Sequence, residues 1–172
     1  MSKAAIEKRL GSYWKMEAAN VLLLPGITLY LAVILDWQLG LASIAAFVPC
    51  CALLAIGAQY WRAKLIQLRE GGTFPQTIAL LAALQWPALA LTIAGVGVVI
   101  ACWLVPGLAA SRADLWTGTI VGILAVLEYV NYYHRQVQHF DHASDFKRLL
   151  GGGGFRRSQM AVDIARWRAA IG

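Results

Sequence analysis

Four stretches of this 172-residue chain, 21–35, 41–60, 77–105 and 115–134, run through apolar residues with scarcely a charge. A helix rises about 1.5 Å per residue, so a hydrocarbon core of about 30 Å demands about 20 such residues in a row. The stretches therefore specify an all-α, integral membrane four-helix bundle. Composition agrees: 59% of residues are hydrophobic and 14% charged, against about 25% charged in an ordinary soluble domain.

The net charge of +6 does not call for nucleic acid as a partner, because the basic residues collect in the segments between and beyond the apolar runs. Four Lys or Arg precede the first run, none separates the first from the second, three separate the second from the third, one lies between the third and fourth, and seven follow. Fourteen of fifteen thus fall on one side. Positive charge holds segments in the cytoplasm during insertion, so the expected orientation is N-in and C-in, in a bacterial inner membrane, with the lipid bilayer as the first partner.

Residues 1–19 place Ile6, Leu10, Tyr13 and Trp14 at helical spacing among Lys3, Lys8, Arg9 and Lys15, the pattern of an amphipathic helix lying in the interface. Pro25 falls near the start of the first span, where a missing amide donor matters least. Pro49 loosens the second span, and 62–72 forms a polar loop. The third apolar stretch is too long for one upright crossing, so it is a helix kinked near Pro87 or a helical lead-in followed by the span. Ser111 or Asp114 caps the fourth span, whose helical pattern continues to Leu150 within a 20–150 membrane domain. Gly151, Gly152, Gly153 and Gly154 make a linker, and 155–172 forms a basic amphipathic helix with Met160, Ile164, Trp167 and Ile171 on one face.

Candidate chemistry gathers at the end of the fourth span. Glu128 is the leading residue, because an ionisable group inside a membrane is costly unless protonated, paired or facing a cavity; its simplest partners are Tyr132 or Arg135 reaching back. On a continuous helix Glu128, Asn131, Tyr132, Arg135, His139 and His142 form one stripe, and His134, Gln138, Asp141 and Asp145 a neighbouring one. Glu128 and His134 are the candidate acid or base groups, with Asn131, Tyr132, Arg135 and His139 as candidate ligand contacts. His139, Asp141, His142 and Asp145 offer imidazoles and carboxylates to a divalent metal, although no other span supplies a histidine or central acid. Tyr129, Tyr132, Tyr133, Trp61 and Trp37 lie near span ends, where such rings anchor at the interface. Cys50, Cys51 and Cys102 read as small packing residues, and Gly118, Gly122 and Ala125 form a small face that another helix can approach closely. No pattern here names a cofactor.

The cluster Asn131, Tyr132, Tyr133, His134, with Gln138, Asp141 and the 163–168 basic tail, resembles the C-terminal part of an uncharacterised group of small bacterial inner-membrane proteins. The resemblance implies a bacterial origin and brings no activity. The leading expectation is a non-catalytic small subunit or assembly factor of a larger inner-membrane complex, packed against other membrane subunits or itself. A small membrane-bound enzyme or lipid- or quinone-binding protein, with its site around Glu128 and His134, is the alternative, and a channel or transporter subunit is the next.

Overall fold

The computed structural model describes residues 2–136 and 155–172. Among the described residues the elements are six helices: α1 (Lys3–Ile34), α2 (Leu41–Glu70), α3 (Pro75–Ala83), α4 (Gln85–Leu104), α5 (Arg112–Tyr133) and α6 (Gln159–Ile171). Lys3–Ile34, Leu41–Glu70, Pro75–Leu104 and Arg112–Tyr133 are long and apolar enough to cross a membrane, which makes this a multi-pass membrane protein with a helical bundle. The all-α reading agrees with this fold among the described residues. A backbone inside hydrocarbon has no water to bond, so helices are its natural form.

α2 is the hub, packing against α1, α4 and α5 and more lightly against α3. The core lies where α2 meets α4 and α5, around Ala46, Cys50, Leu53 and Ala125, all fully enclosed. α1 rests on α2 and leaves most of its apolar surface uncovered, including Leu22, Ile27, Tyr30 and Val33. Such a face suits lipid tails, which offer no penalty to exposed Leu or Val.

Several boundaries differ from those expected. Instead of an interfacial helix over 1–19 and a separate span, one helix runs unbroken from Lys3 to Ile34, because Ala18 and Ala19 continue the turn that Tyr13 and Trp14 begin. Pro25 consequently sits deep in α1 rather than near a start. Proline at that position leaves the carbonyl of Val21, four residues back, without its helical donor. The Cys51 thiol of α2 donates to that carbonyl at 3.5 Å, so this cysteine does more than fill space.

The other two interior prolines are accommodated in kindred ways. Pro49 leaves the Ala45 carbonyl bare, and α4 lays Gly95 directly on it; a Cβ on Gly95 would collide with the Ala45 oxygen and approach Pro49 Cγ to 2.9 Å. Near Pro87 the chain breaks at Leu84 into α3 and α4, which is the lead-in arrangement. There the Tyr133 hydroxyl donates to the Leu81 carbonyl at 3.1 Å. α2 outlasts the expected span and absorbs most of the 62–72 loop, ending at Gly71, whose φ of 70° closes the helix in the left-handed conformation.

At the end of the bundle formed by the α1–α2 and α4–α5 connections, Ser111 caps α5 by accepting from the Asp114 amide at 3.1 Å. Asp114 is itself fully buried and serves a different helix. Its carboxylate accepts from the amides of Gly40 and Ser43, both at 2.9 Å, and from the Ser43 hydroxyl at 2.6 Å. Ala110 donates to it from the α4–α5 connection at 3.2 Å. One side chain thereby satisfies the open amides at the start of α2 and ties both connections together.

Candidate functional site

The opposite end carries both chain ends and most of the polar side chains. α5 stops at Tyr133 rather than running on toward Leu150. His134 turns the chain and Arg135 pairs with Arg157 in an isolated antiparallel bridge. The Gln136 amide donates to the Arg156 carbonyl at 2.9 Å and the Ser158 amide to the His134 carbonyl at 3.1 Å. Captured by this returning segment, Arg135 leaves the helical stripe that begins at Glu128.

α6 then folds back onto the bundle. Its cap, Ser158, is buried and donates its hydroxyl to the Tyr132 carbonyl while accepting from the Ala161 amide. Met160 and Ile164 are buried and Trp167 packs beside them, whereas Ile171 is exposed. Asp163 fixes the helix to α2: it accepts from the Tyr60 hydroxyl at 2.8 Å and pairs with Lys64 at 2.7 Å. The 155–172 segment is thus a docked cap on the bundle.

Beneath that cap lies the most unusual side-chain group of the protein. Glu128 is 4% exposed and points into the bundle, not along its surface. Facing it from α1 is Glu17, half-buried, close enough for the two carboxyls to repel. The Tyr132 hydroxyl is a neighbour of both. It is fully enclosed and makes no hydrogen bond of good geometry. Cys50 of α2 lies near both carboxyls as well.

Gly57 of α2 makes this meeting possible. A Cβ there would fall on the Tyr132 hydroxyl and Cζ, so only glycine lets the phenol of α5 cross the face of α2 toward α1. The cluster lies about 24 Å along α2 from Leu41, at 1.5 Å per residue. In a hydrocarbon core of about 30 Å, that is near the boundary on the terminus-bearing side.

Of the residues expected to act together, the structure joins Glu128 with Tyr132 and separates them from His134. The His134 ring stacks at 5.5 Å from Tyr129 and lines a groove between α4 and α5, on another face from the carboxyls. Asn131 is half-buried and Arg135 exposed. His139, Asp141, His142 and Asp145, with Gln138 and the glycine linker, lie outside the described residues. Among the described residues, no group of three His, Cys, Asp or Glu is placed to hold a metal ion.

One assignment changes. Tyr129, Tyr132 and Tyr133 are buried in the bundle and do not serve as interfacial anchors; Trp37 and Trp61 keep the peripheral positions, the latter against Tyr13 with ring centroids 5.5 Å apart. The small face of α5 closes within the chain: a Cβ on Gly118 would meet Ala42 atoms at 2.7 Å, Ala125 is fully buried, and Gly122 lies toward Val96.

Glu17 is the residue that sequence reasoning missed. Assigning 1–19 to the membrane surface took it out of the bundle and left Glu128 as the sole central acid. The signal was available in the absence of any helix breaker between Tyr13 and Val21, which keeps Glu17 in register with the apolar run. Compared with family models, curated proteins and solved structures, the chain matches none of them.

Proposed function

We propose that this chain is a non-catalytic component of a bacterial inner-membrane assembly, with both termini cytoplasmic, and that its Glu17–Glu128–Tyr132 cluster takes up a proton from the cytoplasmic side. The observation that carries the reading is a carboxyl from each of two helices beside the enclosed Tyr132 hydroxyl, which lies over Gly57. An ionisable group inside a membrane is costly unless it is protonated, paired or facing a cavity, and here two of them neighbour one enclosed phenol. With the proton present, α1 and α5 are drawn together through the cluster. Without it, the same contact pushes them apart.

The titratable groups that meet the Glu17–Glu128 pair are the Cys50 thiol on α2 and the Tyr132 phenol on α5. From this cluster toward the Asp114 end, the interior is closed by Ala46, Cys50, Leu53 and Ala125. That packing favours a dead-end proton site over a pathway through the chain. The cytoplasmic assignment of the termini rests on the charge bias, and the aromatic and basic contacts at that end support it: Arg9 lies over Tyr13 at 5.2 Å and Arg62 over Trp14 at 6.0 Å, as in an interfacial belt.

Infrared spectroscopy of the protein reconstituted in lipid, recorded across a pH series, tests the reading. The expected result is a protonated-carboxyl band that titrates and disappears in both Glu17→Gln and Glu128→Gln. Tyr132→Phe should keep the band but shift its frequency, and Asp163→Asn should leave it unchanged. A spectrum without a protonated carboxyl near neutral pH, or a band indifferent to both glutamine variants, would overturn it.

A further inference from the structure

Two hollows lie side by side between α4 and α5. One, about 330 Å³, is lined by residues that include Trp103, Thr119 and Gly122. The other, about 470 Å³, is lined by residues that include Leu89, Gly97, Tyr129 and His134. They share Val96, Ile100 and Val126, so they form one furrow on the membrane-facing side of the bundle. From Trp103 to Leu89 it follows α4 for about 21 Å at 1.5 Å per residue. Gly97 lines it with no side chain, and the space where a Cβ would stand is open.

The two ends of the furrow differ. At one, Trp103 Nε1 donates to the Thr119 hydroxyl at 2.9 Å and the Trp103 ring meets Trp116 edge-on at 5.4 Å, which closes it. The other opens at the terminus-bearing end. There Tyr129 lies against Gln85, and the Gln85 side chain accepts from Arg168 of α6 at 3.1 Å. His134 forms part of the mouth, with Arg135 and Arg157 beside it in the bridge. The nearest acid of α6, Asp163, is turned away toward Tyr60 and Lys64.

An apolar furrow that is stopped at its far end and basic at its mouth matches a molecule with a hydrocarbon chain and an anionic head. We propose that this furrow holds one anionic phospholipid of the surrounding membrane, its acyl chain along Gly97 and Gly122 and its phosphate at Arg168 and His134. Close packing of the acyl chain along the furrow walls holds it there, since the surrounding lipid is as apolar as the furrow itself. The Arg168 guanidinium supplies the preference for negative charge. The assignment is independent of the carboxyl cluster, which faces α1.

The test uses the full chain in nanodiscs of equal phosphatidylglycerol and phosphatidylcholine, released gently and weighed by native mass spectrometry. The expected result is one retained phosphatidylglycerol per chain, favoured at least fivefold over phosphatidylcholine. Gly97→Leu should abolish retention by filling the furrow while the helical circular dichroism stays unchanged. Arg168→Ala should reduce the headgroup preference to near unity without removing the chain-binding. Retention in the bulk lipid ratio would mean ordinary surrounding lipid and would overturn the proposal, as would undiminished retention in Gly97→Leu. A dimer that Gly97→Leu dissociates would assign the furrow to a second copy and overturn it too.

Discussion

Gly57 shows how one missing methyl group can set the chemistry of a bundle. The space it leaves on α2 is filled by the tip of Tyr132, and the phenol in turn neighbours Glu128 of its own helix and Glu17 of α1. Gly57→Val would place branched carbon where the hydroxyl now sits. Overpacking of this kind costs about 1–3 kcal/mol, and here it should also separate Glu17 from Glu128. Disulfide cross-linking between cysteines placed at the two glutamate positions checks this: efficient in the parent background, it should fall severalfold with Gly57→Val.

Asp114 is the second residue on which much depends, for the opposite reason. It is a buried charge that survives because donors from two chain connections converge on it. Leaving a buried donor without its acceptor costs about 1–3 kcal/mol, and several donors share this carboxylate. Asp114→Ala should therefore lower the thermal midpoint of the detergent-solubilised protein sharply, and Asp114→Asn, which loses the charge and reverses half the hydrogen-bonding capacity, should fall between. If Asp114→Ala melts with the parent protein, the clamp contributes little.

At the scale of elements, the prolines and the last helix decide the shape. Each interior proline strands a carbonyl; a thiol from Cys51 donates to that of Val21, and the backbone of Gly95 packs closely on that of Ala45. Such contacts pin helices at a fixed height as well as a fixed rotation. α6 docks by another rule, through a short apolar stripe and the Asp163 anchor. A charge-assisted bond of this kind is worth about 1.5–3 kcal/mol. Asp163→Ala should therefore loosen α6 without unfolding the spans, seen as faster hydrogen exchange over 159–171 and unchanged exchange in α2 and α5.

For the whole molecule, the charge bias and the even number of crossings place both ends together. Single cysteines introduced at Gln38 and at Gly172 test it in intact bacterial cells. A membrane-impermeant maleimide should label the first and spare the second until the cells are opened; the reverse pattern would turn the protein over. The native cysteines should stay silent, since Cys50 and Cys102 are buried and Cys51 is half-buried against α1.

The sequence by itself determined the helical class, the number of apolar crossings and the placement of basic residues, because these follow from hydropathy along one dimension and from the need of every backbone group for a partner inside the chain. It also made Glu128 conspicuous. It did not show that Glu17 stands opposite, that Asp114 serves α2 instead of α5, or that Tyr129 and Tyr133 turn inward away from the interface. The mutual height and rotation of apolar helices are set by which small residues let backbones approach, here Gly57, Gly95 and Gly118, and by where stranded carbonyls find relief. Those are contacts between residues far apart in the chain, so only the tertiary structure decided which polar groups meet.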